Sequence, residues 1–220
     1  MASLSPKSFA LRSGAGFVSL LLLASLGFAQ QTRKPASLFQ GPESEGLASG
    51  KFLVAPRQAL DPNFANTVIL LVRYDETGAL GLVINRPTTV PISKLFQDSK
   101  TARHLADPAY AGGPVQEDAI LALSRSDKKL EGATPVINTV YLLSSRRILD
   151  QMLATKPTPS NLRVYLGYTG WGPGQLDHEM DLDVWLVVPG EADIVFDPDP
   201  KSVWPRLIDR AELRFASLIH

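Results

Sequence analysis

Thr67-Val68-Ile69-Leu70-Leu71-Val72-Arg73 is followed by Tyr74, by Asp75-Glu76-Thr77-Gly78, and by Ala79-Leu80-Gly81-Leu82-Val83-Ile84-Asn85-Arg86-Pro87. These residues decide the fold. The first run is rich in β-branched residues and continuously apolar at its centre, the pattern of a strand buried on both faces. Asp75 to Gly78 is hairpin chemistry, with Gly78 free to adopt positive φ. Ala79 to Ile84 returns as the partner strand, and Pro87, which cannot donate to a ladder, ends it.

Working outward, Phe52 to Ala55 reads as a strand stopped by Pro56, and Asp61-Pro62-Asn63-Phe64 as a turn. Pro91 to Phe96 predicts a short helix. Ala109 to Gly113, Ala119 to Leu123 and Val140 to Leu143 predict strands, with a polar loop over 125–135. Ser144 or Ser145 caps a helix running through Thr155. Leu162 to Tyr168 reads as a strand, Thr169 to Gly174 as a glycine-rich turn and Gln175 to Asp181 as a short helix. Val184 to Val188 and Ile194 to Phe196 predict strands, and a last helix starts at Asp199 or Ser202. About eight strands and three or four helices in irregular order predict a single α+β domain. Its sheet is strongly bent, mixed and largely antiparallel, with helices packed on one side of it.

The N-terminus of the 220-residue chain has a different character. Lys7 and Arg12 precede an almost wholly apolar run, Phe17 to Phe28, and Gly27 and Ala29 occupy the small-residue positions of a cut after Ala29. This is the three-part pattern of a secretory signal peptide over 1–29. A buried N-terminal helix or an uncleaved anchor is the alternative. The run is too short to span a bilayer comfortably, so no transmembrane segment is expected after its removal. Residues 30–46, polar with Pro35 and Pro42, read as a flexible linker. The domain then covers 47–213, and 214–220 form a tail. The chain has no cysteine, which excludes disulfides, thiol catalysis and cysteine-ligated metals. Loss of 1–29 removes two bases and no acid, leaving 20 basic and 22 acidic residues, net charge −2. That balance does not suit nucleic-acid binding.

Four segments carry a family resemblance. They are Phe52-Leu53-Val54-Ala55-Pro56 with Asp61 to Phe64; Gly78 to Pro87; Gly112-Gly113-Pro114-Val115-Gln116; and Gly167-Tyr168-Thr169-Gly170-Trp171-Gly172-Pro173-Gly174-Gln175-Leu176 with Glu179, Trp185 and Trp204. In this order they resemble the YqgE/AlgH family over residues 47–213. The resemblance implies an unassigned biochemical activity, no cofactor, a cytoplasmic location for the family in general and, for one branch, a role in transcriptional regulation. Members often carry histidine where this chain has Tyr74 and Ser124, so a mechanism built on those imidazoles does not carry over. The signal peptide is a further departure.

The candidate chemistry lies at three polar turns, expected to converge on one cleft. The glycine-rich turn holding Gly172 and Gly174 leads into a helix N-terminus and could receive an anion, or could simply tuck Trp171 onto the core. Asn85 and Arg86 end a buried strand; Arg86 could bind a carboxylate or phosphate, or could cap carbonyls or pair with Glu179. Gly112 and Gly113 would let a ligand approach bare backbone, and Gln116 and Gln175 would add neutral hydrogen bonds. Asp177, His178, Asp181 and Asp183 read as a solvated acidic helix face, so no metal site is assigned. Ser144 and Ser145 read as a helix cap. No catalytic dyad emerges.

The expected function is an exported, periplasmic or secreted binding or interaction module for an unidentified small molecule or protein. The alternatives are a hydrolase acting on a small anionic ligand, with Glu179 as base and Arg86 as anion holder, and a transcriptional regulator. Export is checked by intact mass: protein from the native host should begin at about Gln30, whereas full-length protein in the cytosol would refute it.

Overall fold

The structure, a computed structural model, describes residues 46–59, 61–99 and 101–218. The signal peptide and almost all of the linker lie outside them. The expected hairpin is present as β2 (Val68–Asp75) and β3 (Gly78–Val83), paired antiparallel from Ile69↔Val83 to Asp75↔Gly78. β1 (Lys51–Val54) lies on the far side of β2, and β10 (Leu186–Pro189) edges β1. The other half of the sheet is built from β6 (Val115–Arg125), β7 (Thr134–Ile137), β8 (Val140–Leu143) and β9 (Leu162–Trp171). The ladder runs β10-β1-β2-β3-β9-β6-β8-β7. Beside it, β5 (Pro108–Ala111) pairs parallel with β9, and β4 (Pro87–Pro91) pairs with β5.

β9 joins the two halves. Its last residues pair with β3 as Gly81↔Thr169 and Ala79↔Trp171, while Leu162 to Tyr168 pair with β6. At the changeover, four residues of β6, Gln116 to Ala119, stand opposite Gly167 alone, a bulge of the kind that bends a strand sharply. The sheet thereby curls into a half-barrel, and its last strand returns towards its first. A Cβ on Gly50 would lie 2.6 Å from the Val136 carbonyl oxygen.

Alternation along the strands divides the core into three. Leu123, Tyr165, Leu70, Leu82, Phe52 and Val188 point into the curl. There they meet α4 (Ala192–Val195) and the buried face of α5 (Pro200–Leu218), formed by Val203, Leu207, Ile208 and Ala211. Ala122, Val164 and Leu162 face outward against α2 (Arg146–Ala154) and α1 (Ile92–Leu95). Leu53, Ile69 and Leu71, also outward, pack on Trp171, Trp185 and Leu176 of α3 (Gln175–Asp181). Trp204 Nε1 donates to the Ala55 carbonyl at 2.7 Å, and Arg57 pairs with Asp209 and Glu212, seating α5 on β1.

The α+β class, the single domain and the bent, largely antiparallel mixed sheet are as expected; several elements differ. Helices cover both surfaces of the sheet, because β2, β3 and the middle of β9 are apolar on both faces and each face needs cover. Ile194 to Phe196, expected as a strand, form the end of α4 and its cap, with Ile194 and Val195 N–H groups bonded to the Glu191 carbonyl. A three-residue apolar run cannot distinguish a strand from one buried helical turn. Thr169 to Trp171, expected in a turn, extend β9. β4 and β7 add two strands where proline had argued for loop. Ser145 stands at the N-cap of α2 without a side-chain cap bond. α5 continues through Leu218, into the expected tail.

At the bend, backbone touches backbone. Gly112 N donates to Leu166 O at 2.8 Å and Gly112 O accepts from Val83 N at 2.9 Å. A Cβ on Gly112 would lie 2.3 Å from the Gly167 carbonyl oxygen. Gly112→Ala is expected to destabilise the domain by about 1–3 kcal/mol, the usual cost of overpacking, read from the urea midpoint.

Candidate functional site

The turn after β9 closes on itself. Gly174, at φ 69°, is the N-cap of α3. Gln175 folds its side chain back, so that Oε1 accepts from Gly172 N at 3.1 Å while Nε2 donates to Glu179 Oε1 at 3.1 Å. Glu179 lies one turn further along the same helix face. Its Oε2 accepts from Trp171 Nε1 at 2.9 Å and from Trp185 Nε1 at 2.8 Å. Both indoles are buried, their rings meeting edge to face with centroids 6.4 Å apart, and Phe64 packs on Trp185 in the same manner at 5.5 Å. One carboxylate oxygen thus satisfies the polar edges of two buried tryptophans. Tyr74 O–H, reaching across from β2, donates to Asp177 at 2.6 Å. This bond, then burial, raises the Tyr74 pKa.

The other two turns meet at the opposite end of β3. Ala111 N donates to Arg86 O at 2.9 Å, which places the Gly112-Gly113 turn beside Asn85 and Arg86. Asn85 is buried and fully used: Oδ1 accepts from Val68 N and Nδ2 donates to Asn66 O, both at 2.9 Å. Arg86, half-buried, donates from Nη2 to Ala65 O at 3.0 Å, and burial lowers its pKa from the ordinary arginine value. The Gly112 and Gly113 faces are filled by the Gly167 and Tyr168 backbone. Gln116 is exposed on the β6 bulge with φ 45°.

The structure therefore brings Asn85, Arg86, Gly112 and Gly113 together, and places Gly172, Gly174, Gln175 and Glu179 at the other end of β3. Of the alternatives for Arg86, the structure shows the carbonyl cap and not the pairing with Glu179, which holds two indoles and Gln175. The glycine-rich turn also needs no outside anion to satisfy it, because Gln175 takes the Gly172 N–H. Ser124, on the outward face of β6, is buried with no hydrogen-bond partner for its hydroxyl.

Sequence reasoning missed two arginines inside the curl. Arg163 and Arg125 share the inward face of β9 and β6 with Leu123 and Tyr165. The Arg125 guanidinium lies 4.9 Å from the Phe196 ring centroid, donates to Ala192 O at 2.6 Å and pairs with Asp193 at 2.9 Å. Arg163 donates to Asp197 O and stacks on Tyr110 at 4.8 Å. The two arginines hold the α4–α5 corner onto the sheet. A signal was present: Arg163 alternates with Leu162, Val164 and Leu166 in a strand apolar on both faces, where a charge has nowhere to go but inward.

The α3 corner yields a quantitative expectation. Glu179→Ala orphans two buried indole donors and should cost about 3 kcal/mol at 1–3 kcal/mol per donor. Trp171→Ala should cost about 3–5 kcal/mol. Both are read by urea unfolding, and an unchanged midpoint for either would contradict the lock described above.

Residues 52–216 match the AlgH-like family model, DUF179. A UPF0301 protein of Dechloromonas aromatica is 36% identical over 171 residues, covering 76% of this chain and 91% of that protein. One from Streptomyces coelicolor is 33% identical over 167 residues, 74% and 86% of the respective chains. The solution structure of the AlgH protein from Pseudomonas aeruginosa superposes with a TM-score of 0.61 at 30% identity, covering 83% of this chain and 92% of that one. A crystal structure of a Corynebacterium diphtheriae protein, 22% identical with a TM-score of 0.66 over 79% of this chain and 92% of its own, shares the fold. Sequence and architecture agree over the whole described domain: the chain belongs to the AlgH-like family.

Proposed function

We propose that this chain is an exported binding or interaction protein without a reaction of its own. The observation that carries the reading is the use of Glu179. It is the base of the hydrolase alternative, and its Oε2 is occupied by two indole N–H groups while Gln175 bonds Oε1. A base must take a proton from substrate within hydrogen-bond reach, and this carboxylate is committed to the core. Arg86, the hydrolase reading's anion holder, lies at the other end of β3. Ser124 and Tyr74 stand where family members often carry histidine; among the described residues the Ser124 hydroxyl has no partner, and the Tyr74 hydroxyl is held by Asp177. Export is supported by the charged, apolar and small-residue pattern of residues 1–29, and the net charge of −2 after its removal speaks against a nucleic-acid partner.

The corner of Asn85, Arg86 and the Gly112-Gly113 turn is the place we assign to ligand or partner. Arg86 is half-buried there and, among the described residues, bonds Ala65 O, which leaves donors for an acceptor. The test is a thermal-shift screen of the mature protein against metabolites and nucleotides, since a ligand of the folded state raises the melting temperature. At least one compound should stabilise the protein without being consumed. Arg86→Ala should abolish that shift, and Glu179→Gln, though melting lower, should retain it. Turnover of a compound that disappears in Glu179→Gln would overturn the reading in favour of an enzyme.

A further inference from the structure

The corner closed by Phe196 and Asp197 holds a buried guanidinium with no carboxylate in direct contact. Arg163 is 3% exposed. Its Nη2 donates to the Asp197 backbone carbonyl, and its guanidinium lies 4.8 Å from the Tyr110 ring centroid and 5.9 Å from that of Phe196. Its Nε and Nη1 are buried with no acceptor. Of the carboxylates nearby, Asp193 pairs with Arg125 and Asp197 with Arg206, while the charge of Asp107 acts on Tyr110. Asp197 is held below the ordinary range because the Asp199 N–H and the Arg206 and Arg163 charges together outweigh its burial. Among the described residues Arg163 forms no ion pair.

Beside it stands a second orphan. Tyr165, two residues along the same face of β9, is completely buried, and its hydroxyl has no partner. Its ring lies 5.5 Å from that of Tyr110, and Arg163 is close enough for its charge to act on both phenols. Burying a guanidinium without a direct counter-ion is costly, and an unsatisfied buried hydroxyl adds to that. Ring faces and one neutral carbonyl ease the cost without neutralising the charge. The missing complement to these donors is an acceptor bearing negative charge.

We propose that Arg163 and Tyr165 form an internal site for a small oxyanion, a carboxylate or phosphate group, held inside the half-barrel beneath Phe196 and Asp197. Arg163 supplies the charge and N–H donors, and the Tyr165 hydroxyl supplies a further donor. The assignment goes beyond the reading above, because it uses neither Arg86 nor the glycine turns and stands whether or not that corner binds a ligand.

The test is thermal melting of the mature protein titrated with acetate and, separately, inorganic phosphate, against chloride at matched ionic strength. Saturable stabilisation by one or both anions is expected, reaching roughly 5 °C at a hundred-fold excess over Kd; which anion responds identifies the source. Tyr165→Phe removes only a hydroxyl with no protein partner, so it should melt normally in chloride. Its anion affinity should fall about ten-fold, the loss of one charge-assisted hydrogen bond. Arg163→Met should abolish the response; if it does not fold, Tyr165→Phe still decides. Melting indistinguishable from chloride, a non-saturating rise, or equal responses in wild type and Tyr165→Phe would each overturn the site.

Discussion

The contact between the Gly112-Gly113 turn and Gly167 is the constraint on which the rest of this fold depends. β9 must serve both halves of the sheet, pairing with β6 along most of its length and with β3 at its end. It can do so only if the chain bends at Gly167 and the turn from β5 fits into the angle. The Gly112 carbonyl then reaches Val83 and its N–H reaches Leu166, tying the two halves with two ladder bonds. There is no space for a side chain between these backbones. Curvature, and with it the enclosed core of Phe52, Leu70, Leu82, Leu123 and Tyr165, follows from that close approach.

The α3 corner is a second kind of joint, made from side chains. Trp171 ends β9 and Trp185 precedes β10, fourteen residues later in the chain. Both rings must be buried to cover the outer face of β1 and β2, and each then brings an N–H into an apolar setting. Glu179 answers both with one oxygen. Burying two indoles is favourable through their area, and the carboxylate removes the polar penalty that would otherwise offset it. The residue with the strongest claim to chemistry on composition alone is therefore committed to architecture.

The inward face of β9 shows the reverse. Arg163 has an architectural duty, one bond to the α4–α5 corner, and retains more donor capacity than that duty uses. Burial pushes the neighbouring Tyr165 phenol well above its ordinary pKa against the pull of Arg163, so this hydroxyl keeps its proton and is a donor. In an AlgH-like domain whose glycine-rich turn satisfies its own polar groups, unspent donors inside the curl are an informative feature.

By itself the sequence determined the period-2 runs, the hairpin at Gly78, the helices at Arg146 and Gln175 and the family. Each of these follows from local backbone chemistry or from order along the chain. It also marked residues 1–29 as unlike the rest. What the tertiary structure decided was partnership. Gly112 and Gly113 read as room for a ligand, and the backbone of Gly167 and Tyr168 fills that room. Pairing with Glu179 was one alternative for Arg86, and the two lie at opposite ends of β3. Arg163 drew no notice within an apolar strand, and it carries a buried charge with donors that no neighbour accepts. A residue's type fixes which bonds it can make; only the path of the chain through space fixes which donors and acceptors come within three ångströms, and β9 changes partners midway for a reason written in another strand.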